Sequence, residues 1–310
     1  MNQSVATTCP DTNRVSDHFE TGFMNRSLED QIRACEDYVL RPLFVETFRE
    51  HQPVLEAGCG SGQWMHYFKQ QGIESTGIDW SETLRERSLA YDPSVRFDHG
   101  DMRDLPYPDE SFGGVVAMGS PEHVPEGPRQ VFSEFYRVLK PGGVAIVTMP
   151  QFYFLRSVGK CLVREPLRRI KRSAILCRLF GLSPIQGDNP KSRREVLASR
   201  YRKDVFMEIG YDGYFYQYQF TKGQFRDEMA RAGFEIERCF GFNGEAGLIF
   251  SFGKLAGSYD RATHQPRLNL PARLIYKLLG DDALGHMICC VVRKPNRQAR
   301  WNESVKPSIP

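Results

Sequence analysis

Three observations predict an α/β chain built on a mostly parallel sheet. Short apolar runs alternate with amphipathic stretches from residue 54 to residue 150. The first run ends at Glu56 and opens into a turn with glycine at alternate positions, Gly58, Gly60 and Gly62. The second and third runs end in acids, Asp79 and Asp101. Strands that alternate with helices favour parallel pairing, because parallel neighbours need a crossover between them.

The elements follow in order. Glycines at the end of the first strand let the backbone turn tightly and leave no Cβ between main chain and ligand. The helix that begins at Trp64 then presents free N–H groups and a positive dipole end to an anionic group. Thr76-Gly77-Ile78-Asp79 reads as the second strand, with Asp79 about 20 residues past the loop, where such folds place a carboxylate on ribose hydroxyls. Asp79 could also serve only as a helix cap, or precede one at Ser81. Val95 to Met102 holds the third strand, Gly114 to Met118 the fourth, and Val144 to Met149 the fifth, after a helix stopped by Pro141-Gly142-Gly143.

These landmarks resemble the class I S-adenosylmethionine (SAM) methyltransferases, in their small-molecule "type 11" branch. The Rossmann-like fold so implied is a seven-stranded, mostly parallel sheet with an antiparallel last strand. A helical N-terminal arm and a basic insertion after the fifth strand complete it. The resemblance resumes at Phe220 to Glu235, where Thr221 and Gln224 form a capping box, and places the antiparallel strand at His286 to Val292. It implies SAM as cofactor, held by Glu56, Gly58, Cys59, Gly60, Gly62, Asp79, Trp80, Asp101, Met102 and Gly119. Asp101 would recognise the adenine amino group. Cys59 also reads as a small residue filling a tight turn. A dinucleotide-dependent dehydrogenase fits poorly, since its loop is Gly-x-Gly-x-x-Gly and Glu56 would repel a pyrophosphate.

Two departures from the family pattern stand out. The fourth strand begins Phe112-Gly113-Gly114-Val115 where relatives commonly carry Phe-Asp-x-Val, which is expected to cost local strand geometry rather than cofactor binding. Gly119 stands where quinone-type O-methyltransferases have a metal-binding Glu, so no metal is expected.

At 310 residues and 41% apolar, the chain has room for one large α/β unit with insertions. The N-terminal residues lack a signal-peptide layout, and the eight cysteines include no Cys-x-x-Cys pair, so a reduced, cytoplasmic setting is expected. The expected organisation is an arm at 1–52, a SAM-binding core at 53–150, a basic and aromatic insertion at 151–219, the rest of the sheet with a second insertion at 220–294, and a tail at 295–310. The arm reads as two helices broken near Pro42, with Ser27 as N-cap.

The net charge of +3 conceals an asymmetry. Residues 156–203 hold 14 Lys/Arg and 3 Asp/Glu, a net of +11 that leaves −8 for the remainder. Arg156, Lys160 and Arg164 would form one helical stripe, and Leu155, Val158 and Leu162 another. This block is a solvated lid, a contact to an anionic membrane surface, or an attractor of an acidic acceptor. Tyr214, Tyr216, Tyr218 and Phe220 would share one face of a strand, walling an acceptor pocket or packing an edge on the lid.

His123 follows the fourth strand at the sheet's carboxyl edge and is the candidate general base, with Glu122 to orient it or to cap the next helix. A purely structural His123 remains an alternative. The leading expectation is methyl transfer to a small-molecule or lipid-linked acceptor, at oxygen. Nucleic-acid or protein methylation and non-catalytic SAM binding are the other readings. Nucleic acid is disfavoured because Ser120-Pro121 continues as Glu122-His123, with neither a second proline nor a stacking ring. Acceptor identity and oligomeric state are not legible.

Overall fold

The computed structural model describes residues 19–171, 173–180, 201–209, 215–260 and 265–296. After a helical stretch at residues 19–24 come helices α1 (Leu28–Ala34) and α2 (Arg41–Glu50). The core then alternates β1 (Val54–Ala57), α3 (Gln63–Gln70), β2 (Ser75–Asp79), α4 (Glu82–Tyr91), β3 (Arg96–His99), β4 (Phe112–Met118), α5 (Arg129–Val138) and β5 (Leu139–Pro150). The lid region holds α6 (Phe154–Gly159), a π-turn at Lys160–Arg164, α7 (Glu165–Lys171), α8 (Ala174–Phe180) and the strands β6 (Phe206–Ile209) and β7 (Phe215–Gln219). The chain closes with α9 (Lys222–Arg231), β8 (Glu235–Phe242), α10 (Gly244–Phe252), β9 (Gly257–Asp260), β10 (Gln265–Leu268), α11 (Leu270–Leu284) and β11 (Met287–Arg293).

Seven strands form the main sheet in the order β3-β2-β1-β4-β5-β11-β8. The pairs from β3 to β5 are parallel, while β11 runs antiparallel to both β5 and β8. The expected mostly parallel sheet with one antiparallel last strand is therefore present. Chain order reverses at β1 and β4, and the carboxyl ends of those strands are where this architecture binds ligands.

Helices cover both faces. On one, Phe132, Phe135, Phe225 and Met229 of α5 and α9 bury against Val115, Val147 and Ile288. On the other, Phe44, Phe48, Trp64 and Phe68 of α2 and α3 form a chain of aromatic contacts over Val54 and Ile146. The predicted caps hold: Ser27 accepts from Asp30 N, and Thr221 and Gln224 make the reciprocal capping box. The arm's break falls between Ala34 and Arg41, with Pro42 inside the first turn of α2, where a missing N–H costs nothing.

Gly113 and Gly114 explain the altered start of β4. Both donate to Pro53 O, and a Cβ on Gly113 would lie 2.7 Å from Gln52 O. The chain leaving α2 crosses here in contact with the strand, and the β4–β5 register shifts between Phe112 and Gly114.

One expectation is corrected, and for the aromatic run one of two readings fits part of the strand. The backbone does not run as one regular α-helix from Arg156 to Arg164, because it passes into a π-turn at Lys160. Arg156 itself is buried, its Nη2 3.8 Å from the Glu208 carboxylate and its Nη1 donating to Gln151 O. Of the aromatic run, Tyr218 and Phe220 belong to the core, as the packing reading has it, while Tyr216 is half-buried with its ring against His123. Tyr214 lies outside the described residues, as do residues 181–200 of the basic block.

Candidate active site

The glycine loop folds as the spacing predicts. Gly58, Gly60 and Gly62 have φ of +70°, +54° and +71°, a region that side chains with a Cβ rarely enter. Glu56 lies beneath the loop, and its Oε2 accepts from Met65 N at 3.1 Å, capping α3 where Gly62 supplies no side chain. Asp79 ties β2 to the loop: Oδ2 accepts from Gly60 N at 2.8 Å and Oδ1 from Ser81 N at 3.0 Å. Ser81, not Asp79, caps α4. Each Asp79 oxygen keeps a lone pair beyond the bonds shown, as ribose recognition requires.

Gly58 and Cys59 both donate to Ile78 O, so those two N–H groups are used within the fold. The Cys59 side chain packs with Met65 and Phe97, in keeping with the turn-filling reading. Burial, and next the Glu56 charge, push its thiol well above the ordinary range.

The opposite wall comes from the ends of β3 and β4. Met102 and Ser120 face Gly58, where a Cβ would lie 2.8 Å from the Met102 methyl and 2.7 Å from Ser120 Oγ. Ser120 Oγ donates to Ala57 O at 3.0 Å. Gly119 turns the chain at φ +64°. Trp80 is 44% exposed beside Asp79. The Asp101 carboxylate is not open: Arg103 grips it through Nε and Nη2 at 2.9 and 2.6 Å. Burial alone would raise Asp101, but Arg103 outweighs it and holds the carboxyl below its usual range.

Pro121–His123 form a single 3-10 turn after β4. His123 Nδ1 lies 2.7 Å from Tyr216 O, so Nδ1 carries the proton of the neutral ring and Nε2 the lone pair. Nε2 is 3.9 Å from Glu122 Oε1. Glu122 is 2% exposed and its Oε2 meets no hydrogen-bond partner. Burial pushes its carboxyl up to about 8.

The arm reaches the site, as the family resemblance implies, through residues ahead of Ser27 that sequence reasoning did not single out. The Phe23 ring lies over Gly60, 2.4 Å from where a Cβ would stand. Glu20 accepts from Ser81 Oγ at 2.6 Å, and Phe19 sits edge-on to His123 with ring centroids 4.5 Å apart. Arg87 and Gln31 pin the arm by donating to Phe23 O. No motif marks these residues, because they reach the loop from a distant part of the chain.

The residues present fit SAM. Among the described residues, Ser61 Oγ, Gln63 Oε1 and Glu122 Oε2 are buried without partners, and Ser61 and Gln63 belong to the loop itself. Glu56 and Asp79 are both raised by burial, and no Lys or Arg lies between residues 54 and 68. Such a site lowers its own energy by taking up positive charge, as a sulfonium amino acid brings. Among the described residues no three His, Cys, Asp or Glu side chains cluster to hold a metal ion.

Residues 55–147 match the family model described as a methyltransferase domain. A probable S-adenosylmethionine-dependent methyltransferase of Mycolicibacterium smegmatis is 38% identical over 97 residues, covering 31% of this chain and 37% of the relative. A demethylmenaquinone methyltransferase of Clavibacter sepedonicus is 36% identical over 97 residues, covering 30% and 39%. The similarity thus spans about two-fifths of these relatives' length. A SAM-dependent methyltransferase structure from Methanosarcina mazei superposes with a TM-score of 0.51 at 16% identity, covering 83% of this chain and 98% of that one, which shows the shared fold.

Proposed function

We propose that this chain, whose residues 55–147 match a methyltransferase domain, is a class I SAM-dependent methyltransferase of the type 11 branch that transfers a methyl group from SAM to oxygen of a small-molecule or lipid-linked acceptor. One observation carries the reading: a cation-free glycine loop with a buried acid on each side, Glu56 and Asp79, and unpartnered polar atoms at Ser61 and Gln63.

Asp79 is the residue to hold the ribose hydroxyls, and the region of Glu56, Ser61 and Gln63 to receive the amino-acid end. Met102 and Gly119 line the loop's far side. When bound, SAM supplies an electrophilic methyl on a sulfonium. The chain supplies alignment, exclusion of water and a place for the proton. His123 is assigned as that place: Nε2 takes the proton of the acceptor hydroxyl, and the bond from Nδ1–H to Tyr216 O fixes the tautomer that can do so. Phe19 and Tyr216 surround the imidazole with rings, which favours a neutral and largely apolar acceptor next to it.

The test is incubation of the protein with methyl-labelled SAM and metabolite or lipid extracts, followed by mass identification of the product. A labelled ether or ester supports the reading. Labelled amine, or no label in any extract while SAM binds, contradicts transfer to oxygen.

A further inference from the structure

We propose that the helices over the carboxyl edge of the sheet form a docking surface for a bilayer carrying anionic lipid, with α11 as its principal element. The proposal rests on the methyltransferase reading only in its consequence, that the acceptor is collected from the lipid phase.

The surface is inverted relative to an ordinary globular helix. Leu270, Leu274 and Leu278 are 71%, 62% and 83% exposed. At about 100° per residue they share one stripe of α11. Ile275 and Leu279 widen it on one side, and exposed Arg273 and Lys277 border it on the other. Only Ala272 and Tyr276 pack inward over this stretch, in the cluster with Leu248 and Leu284. A helix whose apolar stripe faces outward, edged by basic residues, has the make-up of an interfacial helix.

The acids of α11 are turned away from that surface. Asp281 and Asp282 follow the break at Gly280, and their carboxylates accept from Gly244 N and Gly241 N. α8 has a similar make-up. Ile175 and Leu179 of α8 are 80% and 74% exposed around an exposed Arg178, within the segment of net charge +11. α10 lies between α6 and α11, with Gly159 against the Ser251 backbone and Gly247 against Leu284 O. All three helices meet the sheet where β5 and β8 end and β11 begins, the edge that also carries the glycine loop.

Charge selects the occupant. A symmetric second copy would set the patch against itself, bringing Arg273 and Lys277 close to their own duplicates. An anionic bilayer takes up both the leucines and the cations.

The experiment is sedimentation of the full chain with vesicles of phosphatidylcholine, with and without phosphatidylglycerol, alongside calorimetry with SAM and analytical ultracentrifugation. The wild type is expected to co-sediment with the anionic vesicles and to be released by salt. The double variant Leu274→Glu/Leu278→Glu should partition roughly tenfold less or worse while keeping its melting temperature and SAM affinity, and Arg273→Gln/Lys277→Gln should lose roughly fivefold per charge. Leu278→Trp should show a blue shift in indole emission on adding anionic vesicles. Absence of vesicle binding by the wild type, equal binding by the Glu variant, or a dimer that the Glu variant dissolves would each overturn the proposal. Loss of vesicle binding with SAM binding intact removes the docking surface alone; lost SAM binding with docking intact removes the methyltransferase reading alone.

Discussion

The carboxyl of Glu122 stands 3.9 Å from Nε2 of His123, at the end of a strand whose next turn faces the glycine loop. The two groups are set for different tasks. His123 is oriented by the Tyr216 carbonyl and half shielded by rings. Glu122 is sealed in, with a carboxyl that prefers its proton up to about pH 8. At neutral pH Glu122 therefore contributes little negative charge to the imidazole, and Tyr216 does the orienting.

That raised carboxyl has a consequence for stability. The native state holds the Glu122 proton where the unfolded chain has already lost it. The native state thus binds more protons between the ordinary Glu range and about pH 8, and stability falls as pH rises through that window. Glu122→Gln removes the penalty. Its unfolding free energy should match the wild type near pH 4.5 and exceed it progressively toward pH 8, by at most about 1.4 kcal/mol per pH unit. A constant difference across the range would show that Glu122 ionises normally.

His123→Ala should lower turnover by about 10²–10⁴-fold and leave SAM affinity nearly unchanged, because a base acts on the acceptor and not on the cofactor. Steady-state kinetics on an identified acceptor, with calorimetry on the same protein, separates the two effects. Unchanged turnover would make the Tyr216 bond purely structural.

Asp79→Ala should weaken SAM binding by roughly 1.5–3 kcal/mol, the scale of charge-assisted hydrogen bonds. The structure adds a second effect. Asp79 satisfies Gly60 N and Ser81 N, so the variant should also lose about 1–3 kcal/mol of stability. Chemical denaturation without cofactor reads the second effect independently of the first.

Phe23 occupies the space in front of Gly60, so a ligand that approaches that glycine competes with the ring. Phe23→Ala should tighten SAM binding several-fold, and SAM should change amide exchange across residues 19–26. Weaker binding in the variant would mean that Phe23 is a wall of the bound site.

Legibility followed sequence distance. The glycine turn and the capping box of Thr221 and Gln224 were readable because each is a local rule of backbone geometry. The helix-capping role of Glu56 lay within reach, since α3 starts seven residues later without a cap of its own. Phe19, Glu20 and Phe23 were not readable, because their contacts to residues 60–123 depend on how the arm crosses the sheet. The Arg103 grip on Asp101 was available two residues away but was hidden behind the family role of the acid. The unbroken helix expected through Arg156 and Arg164 was misread because nothing in the residue spacing marks the π-turn at Lys160.

Calorimetric titration with SAM, with NAD as the control, tests the central claim most directly. The expected result is saturable one-site binding of SAM and of its demethylated product, weakened by Asp79→Ala, with no heat from NAD. Tight NAD binding, or no SAM binding by a protein that remains folded, would contradict it.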